Sequence, residues 1–225
     1  MRYADGLGSH DCHRPQWTGL RLGHAKRAAR GECMTNQRLT RFGWLAVSVG
    51  GLGALRPAPG TWGSLPPIII ALAAVWCLSE QQGFTDQDHT SVRYLMLLLT
   101  VLGSAACWVF GRAAEAHCAG KDPSLVVADE TAGQAFMLML GVPWLTMDST
   151  ANCVANVMLA GTAFVLFRIF DILKLPPANQ IQHLKGGSGI LLDDIVAGAQ
   201  AWGVLKLLLL WKSPSEAAAC LGWSA

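Results

Sequence analysis

Two adjacent acids, Asp193 and Asp194, stand where a glycine-rich stretch leads into an apolar segment, in the run GGSGILLDDIVAG (186–198). A carboxylate in an apolar environment is costly unless it has a partner, so these acids require a metal ion, a basic group or water. Successive helical residues point about 100° apart, which predicts that one acid reaches a metal directly while the other binds a second ion, a water or a basic partner. The alternative is a helix cap after a flexible turn at 186–189, although two acids exceed what a cap needs.

Three further acids have similar surroundings. Asp129 and Glu130 follow the apolar residues 125–127 at a predicted helix start, and Asp171 lies inside FVLFRIFDILKL (164–175). Acids at a helix start suit the helix dipole, so Asp129 and Glu130 are either capping residues or a carboxylate pair for a hard divalent cation. Acidic sites at three places in apolar settings indicate one assembled centre. The chain has no C-x5-R phosphatase loop and no D-x-D pair placed as an aspartyl-phosphate nucleophile, so metal-activated water is the remaining chemistry.

Two cations flank Asp171. Arg168, Asp171 and Lys174 are successive i, i+3 neighbours, so they share one face of a predicted helix as a plus, minus, plus stripe. An exposed stripe of this kind is a structural salt bridge. In an apolar context the cations are predicted to clamp phosphate oxygens, while Asp171 binds metal or orients them.

A fourth motif, GGLGALRPAPGTWGSL (50–65), has Arg56 as its only charge, and its glycines and prolines indicate an irregular backbone. Backbone N–H groups and hydroxyls here are predicted to bind phosphate just ahead of a helix that begins at Pro66 and Pro67. The residues that offer these donors are Gly60, Thr61, Gly63 and Ser64. The alternative is a tight turn between helices with Ser64 as an N-cap.

Apolar stretches, most of them of helix length, recur along the chain and predict the elements that position these residues. They cover 44–54, 66–78, 94–110, 135–147, 154–170 and 190–211. Their connectors are rich in Gly, Pro, Asp and Gln, which is typical of surface loops, so the prediction is an all-α, multihelical bundle. The best candidate for a membrane span is Tyr94–Phe110, 17 residues without a charge between Arg93 and Arg112, and Ile195–Trp211 follows.

The charge is unevenly distributed. Residues 1–41 carry eight Lys or Arg against three acids, whereas the other 184 residues carry nine basic and twelve acidic groups. Few aromatic residues interleave with the basic head, which disfavours nucleic acid as a partner, and a chain with 52% hydrophobic and 14% charged residues favours a membrane-embedded or membrane-associated protein. We predict a basic, flexible extension at 1–40 on the cytoplasmic side and a helical domain at 41–225.

The four motifs, in this order, resemble the bacterial phosphatidylglycerophosphatase A family over roughly residues 42–211. The residues that carry the resemblance are RPAPGTWGSL (56–65), Asp129 with Glu130, FRIFDILK (167–174) and GGSGILLDDIVAG (186–198). Two features depart from the family pattern. The family usually has a proline directly after the lysine that ends the third motif, whereas Leu175 and Pro176 follow Lys174 here. The extension of about 40 residues is also atypical.

The resemblance implies a magnesium-dependent lipid phosphatase of the bacterial inner membrane, with a cytoplasm-facing active site. Its substrate would be phosphatidylglycerophosphate and its products phosphatidylglycerol and phosphate. The acids predicted to bind Mg²⁺ or to act as a base are Asp129, Glu130, Asp171, Asp193 and Asp194. Arg56, Arg168 or Lys174 would stabilise the charge of the transition state.

Two other classes of function fit the same residues. A membrane transporter or cation-binding protein would use buried acids to bind and move a cation, but there are few clear spans and no inverted repeat. A soluble helical module that binds a phosphorylated ligand would use the acids only as salt-bridge partners.

Overall fold

The computed structural model describes residues 40–82, 84–118, 124–176 and 187–211. Within these residues the chain forms α-helices and one short 3-10 helix, with no strand, which confirms the predicted all-α class. The residues of the predicted extension lie outside them, except Thr40. The helices are α1 (Arg41–Val47), α2 (Pro59–Gln82), α3 (Asp86–Cys118), α4 (Ala128–Met139), α5 (Thr150–Leu173) and α6 (Gly187–Trp211), and the 3-10 helix is Leu52–Ala54.

Four of these helices are long and apolar enough to cross a membrane. They contain the candidate spans Pro59–Glu80, Asp86–Ala114, Thr150–Leu173 and Leu191–Trp211. Each is at least 21 residues long, about 31 Å or more of helix, which matches a hydrocarbon core of about 30 Å. The two spans favoured by the sequence are among them, and α2 and α5 add two more.

Helix α4 is different, because it is short and almost entirely buried. Its 12 residues extend only about 18 Å, and nine of them are buried. Small residues let the neighbouring helices approach it closely. A Cβ added at Gly103 of α3 would lie 2.7 Å from the Ala128 carbonyl oxygen, and one at Gly198 of α6 would lie 2.5 Å from the Gly133 carbonyl oxygen. The long helices therefore hold α4 at the centre of the bundle.

The start of α2 corrects the sequence prediction. The helix begins at Pro59, so Pro66 and Pro67 lie inside it, in the second and third turns. Proline fits the first helical position, which explains why Pro59 starts the helix. Inside the helix Pro67 has no N–H for the Gly63 carbonyl, and that oxygen accepts a hydrogen bond of 2.6 Å from the Thr131 hydroxyl instead. Pro67 thus leaves free an acceptor that ties α2 to α4.

Three other element boundaries differ from the prediction. The stretch 44–54 is split between α1 and the 3-10 helix, because Gly51 adopts a positive φ of 101° between them. The stretch 135–147 is helical only to Met139. Helix α6 already begins at Gly187, so the predicted flexible turn at 186–189 is wrong for its last three residues.

The bundle has two ends that differ in chemistry. The acidic end is formed by the beginnings of α2, α4 and α6 and by the end of α5. The far end is formed by the start of α3, the end of α6 and the segment 140–149. Hydrogen bonds hold that segment to its neighbours: the Phe84 N–H donates to Thr146 Oγ1 over 3.3 Å, the Met147 N–H to Ser79 Oγ over 3.0 Å, and Trp202 Nε1 to the Gly141 carbonyl over 3.3 Å.

Candidate active site

Three carboxylates meet at the acidic end. Asp129 and Glu130 lie in the first turn of α4, and Asp194 lies in α6, which crosses α4 beside them. One oxygen from each of the three lies within 4.8 Å of the others, an arrangement that can hold a metal ion. Asp129 and Asp194 are each only 4% exposed. The close approach at Gly133 and Gly198 brings the two helices near enough for these acids to meet.

Glu130 is the acid whose surroundings most clearly require a cation. Its Oε2 atom is buried and has no hydrogen-bond partner among the described residues. Removal from water, together with the nearby charges of Asp194 and Asp171, raises the pKa of Glu130 to about 8, although Asp129 and Arg168 oppose the shift. A bound cation would remove the penalty for the ionised form.

Gly60 leaves the space that Glu130 and Arg168 occupy. A Cβ at this position would overlap Glu130 Oε1 and would lie 3.0 Å and 3.1 Å from the two terminal nitrogens of Arg168. Any larger residue would therefore displace the acid or the guanidinium. Of the four predicted phosphate-binding positions in α2, Gly60 lies against both Glu130 and Arg168, and Ser64 contacts Arg168 alone.

The other residues of this motif have different surroundings. Gly63 packs against Val127, since a Cβ there would lie 2.6 Å from that of Val127. The Ser64 hydroxyl donates to the Gly60 carbonyl over 2.8 Å inside the helix, so Ser64 is not an N-cap. Thr61 is partly buried, with its N–H on the Ala58 carbonyl at 3.1 Å. Arg56 is exposed on the segment that leads into α2, and its phosphate-binding role stays a prediction.

Arg168 and Asp171 form the predicted intrahelical pair on α5. Arg168 Nη1 is bonded to Asp171 Oδ2, and the same nitrogen lies 3.5 Å from Ser64 Oγ. The Nε atom of Arg168 is buried and has no hydrogen-bond partner among the described residues. Asp171 also lies close enough to Asp194 for their carboxyl groups to interact. The guanidinium therefore faces the acidic end with donor capacity that a phosphate can use.

Lys174 does not continue the stripe, which corrects the prediction of one shared helix face. It is the C-cap of α5, with φ 45° and ψ 55°, and its N–H donates to the Phe170 carbonyl over 2.9 Å. This left-handed residue turns the chain away from the helix, and Lys174 Nζ reaches Asp193 Oδ2 on α6 at 2.5 Å. Asp193 is 3% exposed, so Lys174 supplies a basic partner to a buried acid.

Two polar residues of α4 were missed at the sequence level. Thr131 is buried and donates to the Gly63 carbonyl. The signal in the sequence is Pro67, four residues after Gly63, because a proline there leaves the Gly63 carbonyl without its helical donor. Gln134 is fully buried one turn beyond Glu130, with Oε1 unpartnered among the described residues. The i, i+4 spacing from Glu130 was the signal that could have revealed Gln134.

Comparison with known proteins identifies the relatives of this chain. The family model described as phosphatidylglycerophosphatase A matches residues 45–209. A Bacteroides thetaiotaomicron protein with a provisional name as a phosphatidylinositol-3-phosphatase is 33% identical over 77% of this chain and 98% of its own length. Phosphatidylglycerophosphatase A of Haemophilus influenzae is 31% identical over 74% of this chain and 88% of its own length. The Escherichia coli protein of the same name is 29% identical over 73% of this chain and 83% of its own length. No solved structure matches.

Proposed function

The chain belongs to the phosphatidylglycerophosphatase A family of phosphatases, and on this premise we propose that it hydrolyses phosphatidylglycerophosphate to phosphatidylglycerol and inorganic phosphate. The observation that carries the proposal is the meeting of Asp129, Glu130 and Asp194 beside Arg168, at one end of a bundle with four candidate spans. A substrate anchored in the bilayer would present its headgroup at that end.

The acidic end fits a hard divalent cation, and we assign it to Mg²⁺. All the offered donors are carboxylate oxygens, the ligand type that Mg²⁺ prefers, and the buried Oε2 of Glu130 has no other described partner. Asp129, Glu130 and Asp194 would hold the ion. When bound, it would neutralise phosphate charge and lower the pKa of a water.

The remaining residues have distinct roles in this proposal. Arg168 binds the phosphate oxygens and stabilises the charge that they gain in the transition state, while Asp171 orients its guanidinium. Lys174 is the salt-bridge partner of Asp193. We assign to Asp171 or Asp193 the role of taking a proton from the attacking water or of completing the metal site, because both acids are buried beside Asp194. Water adds to phosphorus, the ester P–O bond breaks, and the glycerol oxygen leaves with a proton.

The distribution of basic residues supports a cytoplasmic location for the acidic end. By chain order, residues 1–58 precede α2, and segments 119–127 and 174–186 lie between helices whose described ends are at the acidic end; together they contain 12 of the 17 Lys and Arg residues. Segments 83–85 and 140–149 lie between helices whose described ends are at the far end, and residues 212–225 follow α6; together they contain only Lys212. Cytoplasmic segments of membrane proteins carry the excess of Lys and Arg, so we place the active site on the cytoplasmic face of the bacterial inner membrane.

The test is phosphate release by the purified full-length chain in detergent, with two substrates in parallel. Phosphatidylglycerophosphate is the expected substrate, and phosphatidylinositol 3-phosphate represents the provisional name of the Bacteroides relative. Faster release from the first supports the assignment, and faster release from the second would replace it.

Matched acid variants link that activity to the acidic end. Asp194→Asn should abolish release. Asp148→Asn makes the same chemical change at an exposed acid of the far end and should leave the rate unaltered. Equal activity in both variants would contradict the proposed site.

A further inference from the structure

A polar cavity lies at the far end of the bundle, away from the cluster of Asp129, Glu130 and Asp194. Its volume is about 390 Å³, and it lies between the start of α3, the turn after α4 and the last third of α6. The residues that line it are Asp86, His89, Thr90, Arg93, Gly141, Val142, Pro143 and Lys206. Twelve residues of α6 separate Lys206 from Asp194, which is about 18 Å along the helix. The cavity is thus distinct from the proposed active site.

Two cations line this cavity, and a single acid lines it with them. Within the described residues, neither Arg93 nor Lys206 forms a salt bridge, and Asp86 is the one acid in the lining. His89 adds a third nitrogen-bearing side chain and interacts electrostatically with Arg93. Convergent cations repel one another unless an anion lies between them, so the lining favours a negatively charged ligand.

The guanidinium of Arg93 lies close to the backbone of Gly141. Gly141 has a φ of 110°, and a Cβ there would lie 2.8 Å from Nη2 of Arg93 and 3.3 Å from its Cζ. The guanidinium therefore lies against the turn, in space that only glycine leaves open. Trp202 donates to the Gly141 carbonyl over 3.3 Å, and Lys206 Nζ lies 5.8 Å from the centroid of the Trp202 ring. These contacts order both cations before a ligand arrives.

In a bilayer spanned by α3, the cavity would lie at the depth of the lipid headgroups. Arg93 and Arg112 bracket the charge-free part of α3, and 19 residues of helix separate them by about 28 Å, close to the hydrocarbon thickness of about 30 Å. Tyr94 is 67% exposed and Trp211 is 85% exposed, as interfacial aromatic anchors are. In that bilayer Arg93 would lie at the membrane surface opposite the acidic end.

The outer surface next to the cavity is apolar. Leu97 and Leu98 follow Arg93 on α3 and are exposed, and Leu207 and Leu210 are exposed beside Lys206 on α6. A soluble anion would make no contact with such an apolar surface. A phospholipid would contact it, because its acyl chains would lie along these leucines while its phosphate enters the cavity.

We propose that this cavity binds the headgroup of an anionic phospholipid from the leaflet opposite the active site. The ligand phosphate is a phosphodiester, with one oxygen pair on the Arg93 guanidinium and the Lys206 ammonium beside it. Basic pockets between membrane helices bind anionic lipid headgroups for the same electrostatic reason. The lipid is held there and is not hydrolysed, since the described residues of the lining include only one acid and no cluster that could hold a metal.

The test compares lipid retention by the full-length chain, purified in neutral detergent and mixed with equal amounts of phosphatidylglycerol and phosphatidylcholine. Bound lipids are counted by native mass spectrometry. The wild-type chain should retain phosphatidylglycerol preferentially. Each cation near the surface contributes about fivefold in affinity, so Arg93→Gln with Lys206→Gln should weaken retention about 25-fold.

The controls separate this site from general charge loss and from the catalytic centre. Arg112→Gln makes the same change on α3 at the opposite membrane surface. It should alter retention less than fivefold, because about fivefold is the contribution expected of one cation in direct contact with the lipid. The double variant should keep the wild-type rate of phosphate release, which also shows that it is folded. Lys206→Gln alone should weaken retention about fivefold and serves if the double variant does not fold.

Three results would overturn the proposal. The first is unchanged retention in the double variant. The second is equal retention of phosphatidylcholine and phosphatidylglycerol by the wild-type chain. The third is full displacement of the lipid by millimolar inorganic phosphate, which would make the cavity a site for soluble anions. None of these results depends on whether the chain hydrolyses phosphatidylglycerophosphate.

Discussion

The substitution Gly198→Ala tests whether the contact between α4 and α6 sets the geometry of the acids. The added Cβ would lie 2.5 Å from the Gly133 carbonyl oxygen, and ordinary contact begins at 3.4 Å. The two helices must therefore separate by about 0.9 Å. The added Cβ is attached directly to the backbone and the Gly133 oxygen is a backbone atom, so no flexible side chain can absorb the movement. Asp194 lies one helical turn before Gly198 and moves away from Asp129 and Glu130 with it.

The size of the effect follows from this displacement. Overpacking of this kind costs about 1–3 kcal/mol, which for a chain of this length lowers Tm by about 2–12 °C. A shift of about 1 Å in catalytic groups costs about 100-fold in rate. We therefore expect kcat to fall about 100-fold while the chain remains folded. Phosphate release and thermal unfolding of the same detergent preparation measure both quantities.

Gly203 of the same helix provides the matched control. A Cβ at this position meets nothing within 4 Å, so Gly203→Ala should keep the wild-type kcat and gain up to about 1 kcal/mol from helix propensity. Wild-type kcat and Tm for Gly198→Ala would refute the reasoning, and so would an equal loss in Gly203→Ala.

Three further substitutions test individual contacts. Asp171→Asn removes the anionic partner of Arg168 and should lower kcat at least 100-fold, about 2.7 kcal/mol, in steady-state kinetics, whereas a change in KM alone would contradict the positioning role. Lys174→Met should destabilise the chain by about 3–5 kcal/mol in chemical unfolding, because Asp193 loses its cationic partner inside the protein. Adding Asp193→Asn should restore most of that stability. A double variant as unstable as Lys174→Met would refute the pairing of Lys174 with Asp193. Thr131→Val should lower the free energy of unfolding by about 1–3 kcal/mol in the same assay, because the Gly63 carbonyl loses its donor. Adding Pro67→Ala should recover part of this loss by giving that carbonyl a backbone N–H donor. An additive loss in the double variant would contradict the idea that the Thr131 hydroxyl replaces the missing N–H of Pro67.

The sequence was sufficient to predict the helices and the residues that gather at the acidic end. Long apolar runs without charge have few alternatives to membrane-length helices, so α3 and α6 could be located from composition alone. Acids in apolar segments need partners, so Asp129, Glu130 and Asp194 were predicted to lie together before any fold was known. Their individual roles stay predictions until the variants are measured.

The residues that the sequence placed wrongly depend on contacts between distant segments. Helical spacing alone puts Lys174 on the face of Arg168 and Asp171, but a lysine in the left-handed conformation ends α5 and turns towards Asp193. Local rules also favour a helix start at Pro66 and Pro67, and the interior position of Pro67 is tolerated because α4 packs against α2 and Thr131 donates to the Gly63 carbonyl that Pro67 leaves free. Such tertiary compensation leaves no signal in a window of neighbouring residues.

The most direct test of the central claim is phosphate release from phosphatidylglycerophosphate as magnesium is removed and restored. Chelation should abolish release by the wild-type chain, and added magnesium should restore it. Asp129→Asn removes one proposed ligand and should raise the magnesium concentration for half-maximal activity more than about tenfold, while Asp148→Asn should leave it unchanged. Full activity in the presence of chelator, or the same magnesium dependence in Asp129→Asn as in the wild type, would contradict a metal-dependent phosphatase centred on these acids.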